Sequence, residues 1–260
     1  MRRMPWWLPV VMLLPGVSTA LVQEPVKAGL EQRWQSYLMA ADQTAPARNF
    51  PYAHCFSQAA ATHGLPETLL LAVARGESDF DPRARSSANA YGLMQILWPD
   101  TAAHLGIHSL SELQQPCTNV DAGARYLKEM LERYEGNLHR ALAAYNYGPG
   151  RVPVGQGRIP KGAIWYSGYI YRHLDYVLNG SGNAEKGGDA GRGRLLVIHF
   201  LRPYRAAAFV ESLQPKVKGV RIDWFRRPAG GFDVVMLYED SAQLQRGRRL
   251  LAKLGLKAKG

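Results

Sequence analysis

An α+β chain is expected from three features of the sequence. Apolar residues recur at helical spacing through most of residues 24–178, a glycine-rich break follows, and strand-like and helical runs then alternate to the end. Residues 24–42 are amphipathic and suited to packing on the domain that follows. "PYAHCFSQAAATHG" predicts a helix stopped by Gly64, and Pro66 opens the next one, which ends at Glu77. "PDTAAHLG" predicts a short helix with Asp100 as its cap. "TNVDAGARYLKEMLERYEG" predicts a helix capped by Asn119, with apolar positions at Val120, Ala124, Leu127, Met130, Leu131 and Tyr134. "NLHRALAAYNYGPG" starts at Asn137 and stops in a Gly-Pro-Gly turn, and "IWYSGYIYRHLDYVL" predicts a last helix. Few strand-like runs occur in this region. The break "GSGNAEKGGDAGRG" (Gly180 to Gly193) has six glycines in fourteen residues, the composition of a flexible linker. Beyond it, "RLLVIHF", "VRIDWF" and "FDVVMLYE" read as strands and "YRAAAFVESL" and "SAQLQRGRRLLAKLG" as helices, giving the order β-α-β-β-α.

The first twenty residues, "MRRMPWWLPVVMLLPGVSTA", combine two arginines, an apolar core broken by Pro9 and Pro15, and a small-x-small end at Ser18-Thr19-Ala20. They read as a cleaved export signal, which implies an oxidising, periplasmic location and no stable membrane span afterwards. The expected organisation is a signal over 1–20, a helical extension over 21–51, a main domain over 52–179, a linker over 180–193 and a small domain over 194–260. The chain has two cysteines, Cys55 and Cys117, without CxxC spacing, and a disulfide is their natural pairing in that compartment. The seven histidines are scattered without metal-ligand spacing. Charge is uneven: residues 21–193 hold 16 basic and 16 acidic side chains, whereas residues 194–260 hold 14 basic and 5 acidic. The basic excess belongs to the last module, which suggests an electrostatic task of its own.

The residue that points to chemistry is Glu77. Leu70, Val73 and Ala74 share its helical face, so its carboxylate is aimed at the apolar side. Burial there disfavours the charged form and raises the pKa, the condition for a proton donor to a leaving oxygen. Asp79 and Asp81 are close in sequence, but neighbours two apart do not share a helical face, and both read as structural.

"GESDFDPRARSSANAYGLMQI", followed by "ALAAYNYGPGRV", resembles the catalytic domain of the soluble, lysozyme-like lytic transglycosylases over roughly residues 52–178. The resemblance implies a lysozyme-like, mostly helical catalytic domain. Glu77 is its single catalytic acid and then base, and Ser78 orients the carboxyl or the substrate's acetamido group. Gly92 to Gln95 form part of the cleft wall, with Gln95 bonded to the sugar and Met94 packed on it, and Tyr145 and Asn146 reach the cleft from the later helix. A late tyrosine completes the site; Tyr166, Tyr169 and Tyr171 are the candidates and Tyr166 is the choice. The implied reaction cleaves the bond between N-acetylmuramic acid and N-acetylglucosamine in peptidoglycan and leaves a 1,6-anhydro end, with no metal or cofactor. "HCFSQAAATHGLPETLL" and "PCTNVDAGARYL" are similar to the cysteine-bearing subset attached to secretion, pilus and conjugation machines, which implies local opening of the wall for such an assembly. Its rivals are a hydrolysing muramidase of goose-lysozyme type and a wall-binding or assembly scaffold without turnover.

The order β-α-β-β-α in about 65 residues is similar to the sporulation-related repeat (SPOR) domains, which bind glycan strands. An RNA-recognition-like fold is the alternative. Wall binding, plain electrostatic attraction to an anionic envelope surface, and a nucleic acid or protein partner all suit the charge. Export argues against nucleic acid as the normal partner.

Overall fold

The computed structural model of the chain describes residues 29–179, 193–227 and 230–256. The expected export signal and most of the glycine-rich segment lie outside them. The fold is α+β. The first region runs α1 (Leu30–Ala40), α2 (Ala53–His63), α3 (Glu67–Glu77), the two-residue strands β1 (Ala90–Tyr91) and β2 (Ile96–Leu97), α4 (Asp100–His104), α5 (Leu110–Leu113), α6 (Pro116–Arg133), α7 (Leu138–Tyr147) and α8 (Lys161–Asn179). Beyond the glycine-rich segment come β3 (Gly193–Phe200), α9 (Pro203–Leu213), β4 (Arg221–Arg226), β5 (Phe232–Tyr238) and α10 (Ser241–Lys253).

Helix α3 is the axis of the first region. Every residue from Thr68 to Glu77 is buried, which matches its near-continuous apolar run. Gly64 ends α2 in the left-handed conformation, at φ 60°. Pro66 precedes α3, and the chain re-enters the core at once. Helix α8 packs along α3, with Ile170, Tyr169 and His173 set against Gly76. A Cβ on Gly76 would lie 2.7 Å from Ile170 Cδ1 and 3.0 Å from the Tyr169 ring. Gly76→Val is therefore expected to cost roughly 2–3 kcal/mol by overpacking and lost helix propensity. A denaturant midpoint equal to that of the parent would refute the close approach. Helix α1 docks through Trp34, which is fully buried and donates from Nε1 to Ser167 Oγ on α8 at 2.7 Å. Tyr37 reaches Thr68 of α3, also at 2.7 Å.

Three helix starts differ from those read in the sequence. Pro66 holds the cap position of α3, whose first helical residue is Glu67. Helix α6 begins at Pro116, with proline in the first turn, and Asn119 lies inside it rather than capping it. Asp100 is the first helical residue of α4, and Pro99 holds the cap position. Asn137 does cap α7, accepting from Arg140 N. Cys55 of α2 and Cys117 of α6 are joined by a disulfide, with 4.8 Å between their Cα atoms.

The last module is a three-stranded antiparallel sheet in the order β3-β5-β4. Helix α9 packs against all three strands and α10 against β5. β4 is an edge strand, and its free edge lies against α8. Arg172 donates from Nη2 to Trp224 O at 2.7 Å, and Arg226 N donates to the Tyr169 hydroxyl at 3.1 Å. Alternate backbone groups of an edge strand point outward, and here they find partners on a helix instead of another strand.

Candidate active site

Glu77 closes α3, and its side chain is only 3% exposed. The Tyr166 hydroxyl, from α8, donates to its Oε1. Arg226, from β4, places Nη1 3.3 Å from its Oε2. Burial pushes the carboxyl above its ordinary 4.5, and the Arg226 charge and the two hydrogen bonds oppose that push. Tyr166 and Tyr145 are held well above the ordinary tyrosine value by burial and by the neighbouring Glu77 charge, so both stay protonated donors. Tyr169 donates to Gly76 O at 2.8 Å and is pushed up to about 12, mainly by burial. Tyr171 lies elsewhere, edge-on to Trp34 with Arg33 over its ring.

The segment Gly92 to Gln95 turns between β1 and β2 beside the end of α3, and three helices clamp it. Ser78, just past Glu77, donates to Leu93 O at 2.9 Å. Asn119 of α6 is fully buried; its Oδ1 accepts from Met94 N at 2.8 Å, and its Nδ2 donates to Tyr91 O and Leu113 O. Tyr145 of α7 donates to Met94 O at 2.8 Å. Gly92 at φ 77° makes the turn, and its missing Cβ leaves room for the Asn119 amide. Gln95 takes a left-handed φ of 52° and donates to Gly92 O and Ala84 O.

The structure thus brings Glu77, Ser78, the Met94 backbone, Gln95, Tyr145 and Tyr166 to one place. Asn146, next on α7, is half-buried. Two expectations change. Met94, expected to pack on a sugar, is fully buried, and what it offers the site is its backbone. Tyr145 holds that backbone, and Ser78 the neighbouring Leu93 carbonyl, rather than the carboxyl. Two residues come to light only in three dimensions: Asn119, whose sequence signal pointed to a cap, and Arg226, 149 residues from Glu77. Asp79 faces Arg194 and Arg75, and Asp81 accepts from Arg83 N, so both nearby carboxylates are engaged away from the Glu77 pair. Among the described residues, His54, Cys55 and Cys117 form a cluster with ligand spacing, but its two sulfurs are bonded to each other.

One buried carboxylate at the end of an apolar helix, faced by a tyrosine donor and a clamped Gly-Leu-Met-Gln turn, defines an acid-type site in a helical α+β domain. Residues 54–164 match the family described as Transglycosylase SLT domain. The chain is 37% identical over 112 residues to the soluble lytic murein transglycosylase of Escherichia coli strain K12, covering 40% of this chain and 17% of that protein. It is 31% identical over 139 residues to the membrane-bound lytic murein transglycosylase C of Yersinia enterocolitica serotype O:8, covering 48% of this chain and 39% of that protein. Among solved structures, the 70 kDa soluble lytic transglycosylase of Escherichia coli aligns with 58% of this chain and 26% of its own, at 31% identity and a TM-score of 0.40. The chain therefore spans well under half the length of these relatives.

Proposed function

We propose that the chain is a peptidoglycan lytic transglycosylase with Glu77 as its one catalytic group. The observation that carries this reading is the buried Glu77 carboxyl, faced by the Tyr166 hydroxyl, inside the segment that matches the Transglycosylase SLT domain. A glycosidase that uses water needs a second carboxylate as base or nucleophile, and Asp79 and Asp81 are occupied elsewhere. One carboxyl suffices if the substrate supplies its own nucleophile. Protonated Glu77 gives its proton to the oxygen between N-acetylmuramic acid and N-acetylglucosamine, and that C–O bond breaks. The positive charge at C1 is shared by the substrate's 2-acetamido group. Glu77, now a carboxylate, takes the proton of the muramic 6-hydroxyl as that oxygen bonds to C1. The acid is regenerated and a 1,6-anhydro end is left.

In this scheme Ser78, Asn119 and Tyr145 are positioning residues that fix the turn carrying Gln95, which lies beside the sugar together with Asn146. Tyr166 holds the Glu77 carboxyl. Tyr166→Phe is expected to lower turnover roughly tenfold, the scale of one hydrogen bond to a charged group. It also removes a contact that favours the carboxylate, so the alkaline limb of the pH profile should move up. An unshifted limb would mean that the tyrosine does not bear on the acid.

A periplasmic site of action, a wall-opening task for an envelope-spanning machine, and wall binding by residues 194–260 fit this reading. Among the described residues no helix is long and apolar enough to cross a membrane. The test is mass spectrometry of fragments released from purified peptidoglycan by the full chain, beside Glu77→Gln. Anhydro-ended fragments from the parent alone are expected. Reducing ends would make it a hydrolysing muramidase, and no fragments from any variant would favour a scaffold.

A further inference from the structure

The site is closed by the chain's own last module. A glycan strand is a polymer and must reach the Glu77 carboxyl, yet that side chain is 3% exposed and its Oε2 faces Arg226. We propose that the sheet β3-β5-β4 is a self-docked cap that inserts Arg226 as a plug against the catalytic acid, so that the enzyme is autoinhibited until β4 leaves α8. This inference rests on the transglycosylase reading above.

Four observations carry it. First, Arg226 opposes the chemistry: a guanidinium beside Glu77 favours the carboxylate, whereas the first step needs the protonated acid. Second, the docking is built from matched groups. The outward backbone of β4 is satisfied at Trp224 O by Arg172 and at Arg226 N by Tyr169, and Tyr169 in turn donates to Gly76 O, one residue before Glu77. Third, aromatic rings interleave across the seam. Trp224 lies 4.8 Å from Tyr169 between ring centres, Phe232 lies 5.3 Å from Trp165, and Phe225 lies 5.7 Å from His173. Fourth, the charge pairs cross the seam in both directions: Asp223 of β4 meets Arg172 and Arg75, and Arg194 of β3 meets Asp79.

The seam has features of a joint that opens. A cavity of about 630 Å³ runs along it, lined by Arg48, Arg75, Arg194, Arg221 and Phe225 among others, and Glu77 is not part of its wall. Crowding of like charges there is felt by the side chains. Burial first, and then Arg75, holds Arg194 and Arg221 down to about 10. Arg75, Arg194 and Arg221 already face Asp79 and Asp223, so the cavity reads as an imperfect fit between two bodies rather than a second ligand site.

The test compares the full chain with Arg226→Gln and with Arg226→Gln/Trp224→Ala. Fragment release from purified peptidoglycan should rise about tenfold in the single variant, the scale of one hydrogen bond to a charged group, and further in the double. Equal or lower release in both, from an active parent, overturns the cap. Binding of chitotetraose to Glu77→Gln, in which the Arg226–Glu77 ion pair is already cut, is followed by the fluorescence of the remaining tryptophans; it reads access without turnover and should tighten about tenfold when Trp224→Ala is added to loosen the seam. Tighter binding without anhydro products from any variant keeps the cap and removes the transglycosylase reading; unchanged binding overturns the cap. Amide hydrogen exchange guards against misfolding. The amide of residue 226, which bonds across the seam, should exchange faster in the double variant while β5 stays protected, and an amide there as protected as in the parent overturns the proposal.

Discussion

Glu77→Gln is expected to abolish fragment release, with a loss of roughly 10²–10⁴-fold for a general acid–base group, while leaving the fold intact. The groups that face this side chain are Tyr166 and Tyr169 from α8, Tyr145 from α7 and Arg226 from β4. Only Arg226 is charged at neutral pH, and burial outweighs it, so the Glu77 pKa lies above its ordinary 4.5. A carboxyl whose folded-state pKa is raised gives stability that is fully present below the ordinary value and is lost as pH rises through the raised value. Glutamine has no such dependence. The melting temperature of the parent relative to Glu77→Gln should therefore fall as pH rises from about 4 towards neutrality. A parent that gains on the variant over that range would mean that Arg226 and Tyr166 outweigh burial.

Removal of the disulfide should have the largest effect on stability. Cys55 and Cys117 are 62 residues apart, and the bridge closes a loop that contains α3, Glu77 and the Gly92–Gln95 turn. Constraint of a loop of that length in the unfolded chain is worth roughly 4 kcal/mol, a large share of the ~5–15 kcal/mol of a typical domain. Cys117→Ser should lower the melting temperature by roughly 8–16 °C. A shift under about 2 °C would show that the unfolded chain gains little freedom when the bridge is cut. The Gly92–Gln95 turn lies inside the closed loop, so under the proposed function activity should be lost at a correspondingly lower temperature.

Much of this fold could be read from local punctuation. Gly64 and Pro66 bound α2 and α3, Asn137 caps α7, and the alternation after the glycine-rich segment gives the order of strands and helices. The inward aim of Glu77 followed from three apolar neighbours on its face. Reading failed where a side chain serves a distant partner. Asn119 has the residue type of a cap, but it satisfies the backbone of a turn 25 residues away, and α6 starts earlier, on proline. Met94 lies in the motif at the site, yet the close approach of Gly123 draws it into the core. The Arg226–Glu77 pair left no trace in any local pattern, because 149 residues and a separate module intervene. The basic excess of the last module was visible; that one of its arginines faces the acid was not.

The covered edge of β4 has a consequence for solubility. A strand freed from α8 exposes the Trp224 carbonyl and the Arg226 amide, and a bare edge of this kind invites pairing between chains. The strand is bracketed by Arg221 at its start and by Arg226 and Arg227 at its end. Two such edges brought together antiparallel would set cation against cation at both ends. The arginine that blocks the acid in the closed form thus guards the open form against self-association, so its removal should leave a more active protein that is also more prone to aggregate.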